Sequence, residues 1–134
     1  AFSAAATEQY PSSNVENLRD YFISALHTAI PDAYVNGEAS QRLPGIVNVT
    51  FPGTQSDTLL LLLDNAHVSA STGSACSAGV HEASHVLLAM GHNETTAQSS
   101  LRFSFGAEST QADVDFVMSV LPAVISTGRA ANKK

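Results

Sequence analysis

Little in this sequence suits it to cross-linking or to gripping phosphate. One cysteine among 134 residues excludes an internal disulfide framework and fits a reducing compartment, so a cytoplasmic location is expected. Lysine occurs only at Lys133 and Lys134, and there is no Gly-rich phosphate cradle of the Walker or dinucleotide type. Tryptophan, internal repeats and low-complexity blocks are absent. The longest continuous apolar run, Leu59 to Leu63, falls far short of the roughly 20 residues that span a bilayer, so no membrane partner is expected. A net charge of −6 with only six Lys and Arg argues against a nucleic-acid partner. The chain opens on Ala-Phe-Ser-Ala-Ala-Ala, with neither an initiator Met nor a basic-then-apolar signal, and is expected to be a piece of something longer.

What remains is 44% hydrophobic and 13% charged, enough for one globular domain with a real core. Residues 1–13 form an Ala-rich lead-in punctuated by Pro11. Val15, Leu18, Phe22, Leu26 and Ala29 recur at helical spacing, which predicts a helix over 14–30 capped by Ser13 or Asn14. A short strand at 33–35 leads into the turn signals Asn36-Gly37 and Pro44-Gly45. Ile46 to Phe51 is the clearest strand, with Val47, Val49 and Phe51 on one face. Ser56 is placed as the cap of a helix to 63 or 64, and 68–71 as a brief strand. A helix over 82–90 ends at Gly91, and 92–99 reads as one turn plus a loop. Leu101, Phe103 and Phe105 point one way from a second strand, so Arg102 and Ser104 point the other. Thr110 and Asp113 cap a last helix carrying Val114, Val117, Leu121 and Ile125, with Pro122 inside it and a flexible tail over 127–134. This order predicts an α+β fold of two layers, helices against a small sheet, with the domain at 14–126.

The lone cysteine, Cys76, lies in Ser71-Thr72-Gly73-Ser74-Ala75-Cys76-Ser77-Ala78-Gly79. Such small residues build surface loops rather than cores, and a thiol there is accessible. By default a lone Cys is a small buried hydrophobe. It becomes a nucleophile if a neighbour such as His81 or His85 favours the thiolate. Arg102 stands alone in an apolar strand, where its planar fork suits a carboxylate or a phosphate, or else a structural ion pair. His81-Glu82-Ala83-Ser84-His85 fits the H-E-x-x-H pattern of zinc hydrolases, which needs both histidines on one helical face. The pattern is short and arises by chance, and Leu88 and Gly91 depart from its extended form. A zinc hydrolase built on His81, Glu82 and His85 is therefore one alternative. A non-enzymatic interaction domain is another.

Three separated segments, Thr72-Gly73-Ser74-Ala75-Cys76, Glu82 to Gly91 and Ser99 to Gly106, resemble the C-terminal part of cysteine desulfurases. These are pyridoxal phosphate enzymes of the class V aminotransferase group, and the likeness is to the branch with a long catalytic-Cys loop. Asn36-Gly37, Arg42 to Phe51 and Thr110 to Asp115 extend the similarity to most of the chain, about 15–125. The resemblance implies the small domain of a fold-type I enzyme, with a mainly antiparallel sheet covered by helices. It implies that Cys76 takes sulfur from L-cysteine as a persulfide, that alanine leaves, and that Arg102 holds the substrate α-carboxylate. Gly73, Ser74 and His81 would support the loop. The sulfur would pass to an acceptor such as an iron–sulfur scaffold, and the parent enzyme would be a homodimer. The large domain of that family supplies the pyridoxal phosphate lysine and phosphate-binding residues. Neither tail lysine can replace them, so no cofactor-binding residue and no metal ligand is assigned here, and the chain alone is expected to be inactive.

Overall fold

The computed structural model describes residues 12–72 and 83–133. Helix α1 (Ser12–Ala29) leads through a tight turn into strand β1 (Tyr34–Val35), and a single 3-10 turn at Ala39–Gln41 precedes β2 (Ile46–Thr50). Helix α2 (Ser56–Asn65) follows. Beyond 82 come two short helices, α3 (His85–Ala89) and α4 (Glu94–Gln98), then β3 (Ser100–Ser104) and the long α5 (Gln111–Asn132). The strands form one antiparallel sheet in the order β1-β2-β3, with Val47 opposite Phe103 and Asn48 opposite Arg102. The expected α+β architecture with a small antiparallel sheet is what the chain adopts.

Alternation along the strands sets the layering. Val47, Val49, Leu101 and Phe103 are buried on one face and meet Leu18, Phe22 and Leu26 of α1, Leu59 and Leu63 of α2, and Val114, Leu121 and Ile125 of α5. Phe22 anchors this layer, its ring 5.1 Å from that of Phe103 and 5.7 Å from that of Phe105, a spacing at which tilted aromatic pairs attract. Burial of these apolar side chains is the main force holding the helices to the sheet. Two polar ties hold the ends of α5, one to α1 and one to the turns that follow α1 and β2. Tyr21 Oη donates to Asp115 Oδ1 at 2.7 Å, which raises the Tyr21 pKa because the carboxylate favours the protonated phenol. Arg129 pairs with Asp32 at 2.6 Å and donates Nε to the Pro52 carbonyl.

Several boundaries differ from those read from the sequence. Helix α1 starts at Ser12, so Ser13 and Asn14 lie inside its first turn and do not precede it as caps. Gln55, not Ser56, is the residue before α2, and it makes no side-chain cap. The brief strand expected at 68–71 reduces to one bridge between Ser71 and Arg102. The polar 94–98 stretch is a helix, because Asn93 Oδ1 accepts the Thr96 N–H and caps it. The capping box of Thr110 and Asp113 is formed as expected. The helix it starts runs on to Asn132, however, so 127–132, taken as tail, is helical. Its proline does not stop it, since Leu121, Val124 and Ile125 around Pro122 are all held in the core.

Helix α5 also corrects the reading of apolar length. By length and composition it is apolar enough to cross a bilayer, with a mean hydropathy of 1.3. A scan for continuous runs misses it because its apolar residues are spaced along the helix. Here Val114, Leu121, Val124 and Ile125 pack into the protein core, and a core helix meets the same criteria.

Candidate anion-binding cleft

The second face of the sheet carries the polar residues of the same strands. Asn48 and Arg102 sit directly opposite each other, so their side chains leave the sheet on the same side. Together with Asn36, Arg42 and Glu38, and beneath the apolar residues Leu43, Ile46, Val86 and Met90, they line a cleft of about 750 Å³. Arg102 is exposed, and its side chain makes no hydrogen bond or ion pair among the described residues. The structural ion pair that was one reading of Arg102 is therefore not formed there. A guanidinium held by a strand, open to the cleft and unpaired, is ready to bind an anion in bidentate fashion.

Backbone bonds fix where the cysteine loop departs. Ser71 and Arg102 exchange two main-chain hydrogen bonds, Ser71 N–H to the Arg102 carbonyl at 3.0 Å and the reverse at 2.6 Å. The chain thus enters the loop from beside Arg102. It returns through Ser84, a buried residue that lines the same cleft just before α3. Cys76, Gly73, Ser74, His81 and Glu82 lie outside the described residues. Chain length alone bounds Cys76: it stands five residues from Ser71, a reach of at most about 18 Å.

Helix α3 is shorter than expected and begins only at His85, with Ala83 and Ser84 outside it. The shared helical face that H-E-x-x-H requires is therefore not built through those residues. Among the described residues no three His, Cys, Asp or Glu side chains gather as a metal site. Leu87 alone of the helix's apolar stripe is buried, while Val86 and Met90 are half-exposed at the cleft rim. Gly91 ends the helix at φ 91°, where its N–H reaches the Leu88 carbonyl, a conformation that favours glycine.

Sequence reasoning found Arg102 but missed Asn48, Asn36 and Arg42. Asn48 interrupts a strand of Val and Ile at the outward parity, which was a readable signal. Asn36 had been taken only as a turn residue. Its side chain is buried, donates to Asn48 Oδ1 at 2.6 Å and to Thr50 Oγ1 at 2.9 Å, and leaves its own Oδ1 without a partner among the described residues. Arg42 donates to the Gly37 carbonyl at 2.9 Å, while its buried Nε has no partner among them.

Comparison with known proteins places the chain in a family. Residues 5–117 match the model of the aminotransferase class-V family, and the chain belongs to that family. It is 43% identical over 128 residues to the cysteine desulfurase IscS of Clostridium botulinum, a match covering 92% of this chain and 32% of that protein. It is likewise 43% identical to an IscS-like cysteine desulfurase of Mycobacterium tuberculosis, over 90% of this chain and 31% of the relative. A solved NifS-like protein superimposes with a TM-score of 0.72 at 26% identity, over 87% of this chain and 28% of that one. A NifS-like protein from Rickettsia africae, at 23% identity and a TM-score of 0.74, shares the fold. The chain spans about a third of the length of the curated relatives it matches.

Proposed function

We propose that this chain is the sulfur-accepting small domain of a cysteine desulfurase, with Arg102 holding the α-carboxylate of L-cysteine and Cys76 receiving its sulfur. The observation that carries this reading is the pair of main-chain bonds between Ser71 and Arg102. They tether the start of the cysteine loop to the one strand residue whose guanidinium stands unpaired in the cleft. In the transfer, the Cys76 thiolate attacks the substrate sulfur and an S–S bond forms as the substrate's Cβ–S bond breaks. The electron pair passes to carbon, which requires an electron sink that this chain's residues do not supply; the carbon gains a proton and leaves as alanine, while Cys76 holds the persulfide. The sulfur would then pass to an acceptor, such as an iron–sulfur scaffold protein, in a cytoplasmic setting. Gly73 and Ser74 are proposed to support the loop, and His81 is a candidate to favour the thiolate.

The residues present do not fit pyridoxal phosphate. Schiff-base chemistry needs a lysine in the site, and both lysines lie at the C-terminal end. Lys133 lines a different groove, between Pro31 and Pro122. No step is assigned to the cofactor on this chain, and the chain by itself is expected to release no alanine from L-cysteine.

The test uses the full reading frame that encodes this segment, assayed for alanine and sulfide release from L-cysteine. Cys76→Ser should abolish sulfide release, and Arg102→Gln should raise KM for cysteine strongly. Desulfurase activity that survives Cys76→Ser would favour a non-enzymatic role for the loop instead. About one tightly held zinc per chain on elemental analysis would revive the hydrolase reading of His81, Glu82 and His85.

A further inference from the structure

We infer that Asn48 is a second donor to the anionic group that Arg102 holds, and that a directional hydrogen-bond chain beginning at Asn36 keeps its amide NH2 facing the cleft. The inference deepens the proposed carboxylate site and rests on that reading of Arg102.

The direction of the chain follows from where it ends. Ser100 Oγ lies 2.7 Å from the Thr96 carbonyl, which can only accept, so the Ser100 proton is committed there. Thr50 Oγ1, 2.8 Å from Ser100 Oγ, must then be the donor in that pair. Thr50 Oγ1 in turn accepts from Asn36, so the Asn36 atom at 2.9 Å is its NH2. The same NH2 reaches Asn48 at 2.6 Å, which makes the Asn48 atom its carbonyl oxygen. Each assignment of amide nitrogen and oxygen is thus forced by the one before it, back to a backbone carbonyl. Thr50 and Ser100 are almost fully buried and Asn36 is 8% exposed, so water does not substitute readily along the chain.

The consequence falls on Asn48. With its oxygen committed to Asn36, only its NH2 remains, and this makes no hydrogen bond among the described residues. Asn48 lies across the β2–β3 pair from Arg102, at the Cβ separation of about 5 Å that lets neighbouring side chains serve one ligand. Two donors on one side of a sheet, one charged and one neutral, complement the oxygens of a single carboxylate. Asn36 lines the same cleft, and its own buried Oδ1 has no partner among the described residues.

Nitrogen-edited NMR of the 134-residue chain, titrated with acetate and with L-alanine, tests this. The Asn48 side-chain amide and Arg102 Nε should move along one isotherm. Asn48→Asp keeps the acceptor that Asn36 holds but turns the outward amide into a carboxylate, and should weaken acetate binding at least about tenfold. Asn48→Ala removes the donor without adding charge and should weaken it by several-fold, with thermal unfolding recorded alongside to separate lost contact from lost packing. Asn36→Asp, which cannot donate, should silence the Asn48 response while Arg102 still reports binding. Acetate binding that Arg102→Gln abolishes but both Asn48 variants leave unchanged would sink this inference and spare the carboxylate site. Binding unaffected by Arg102→Gln, or no saturable shift at either residue, would overturn the site itself and the inference with it.

Discussion

The two faces of the three-stranded sheet are built by alternate residues of the same strands, yet they end in opposite conditions. On one face Val47, Val49, Leu101 and Phe103 are buried against three helices. On the other, Thr50 and Ser100 are covered and hydrogen-bonded, but a few ångströms along the strands Asn48 is half-exposed and Arg102 open. The apolar residues around Arg102 are exposed as well: Leu43 to 63%, Val86 to 52% and Met90 to 49%. Alternation lets one short strand serve folding with every second residue and binding with those between. A change on the inner face should therefore register as stability, and one on the open end of the outer face as ligand affinity.

The sharpest break of that division is on the inner side. Phe22→Ala removes a fully buried ring in contact with Phe103 and Phe105 and should cost about 3–5 kcal/mol, read as a lowered urea midpoint. A domain of this size has about twice that to lose, so the variant should stay folded at ambient temperature but with roughly half its stability gone. A loss below about 1 kcal/mol would mean that the ring's layer is not the organising core.

A smaller effect is expected where α5 meets α2. Gly128 is buried in the middle of a helix, and a Cβ there would stand 2.6 Å from Leu59 Cδ2. Leu59 is fully buried, so its methyl has no free space to turn into. Overpacking costs about 1–3 kcal/mol, whereas alanine in place of glycine returns about 0.5–1 kcal/mol of helix propensity. Gly128→Ala should therefore destabilise by roughly 1–2 kcal/mol. Measured stabilisation would show that the segment from 127 on is loosely docked, closer to the tail that its composition suggested.

That composition shows which parts of the molecule could be read from residues alone. The inner face was legible, because apolar periodicity reports burial directly: Val15, Leu18, Phe22 and Leu26 in α1 and the alternating strands were all placed correctly. The Thr110–Asp113 box was legible because both partners are local in sequence. The end of α5 was not, because Gly128 and Pro122 both discourage helix locally. Their helical state is set by tertiary contacts, with Arg129 held by Asp32 and Pro52, far away in sequence. In the cleft, Arg102 stood out as a lone charge in an apolar strand. Asn36 and Asn48 did not, since their role depends on cross-strand register and on a hydrogen-bond chain that runs from Asn36, just after β1, to Thr96 in α4.

The Thr110 cap lies at neither face and calibrates the scale between them. Thr110→Ala should cost about 1 kcal/mol in thermal unfolding. Its partner adds a pH signature. The Thr110 backbone N–H, and then its hydroxyl, hold the Asp113 carboxyl below its ordinary value. A carboxyl lowered in the folded state contributes stability that is fully present above its unfolded pKa and is lost as pH falls through the folded one. The stability difference between the natural chain and Asp113→Asn should thus shrink on acidification. A difference that grew instead would mean the carboxylate is not held by the cap.

The smallest stability effect is expected from a residue on which ligand binding depends. Arg102→Gln removes a side chain that is exposed and makes no side-chain bond among the described residues, while its two backbone bonds to Ser71 do not depend on side-chain identity. Its unfolding free energy should stay within about 0.5 kcal/mol of the natural chain, as judged by the urea midpoint at an unchanged slope. Removing a positive charge that lines the same cleft as Arg42, where among the described residues only Glu38 offsets the two, makes slight stabilisation more natural than loss. Acetate binding should fall away in the same variant. If Arg102→Gln instead cost as much as Gly128→Ala, the guanidinium would be holding the fold together, and the outer face would be structural along its whole length.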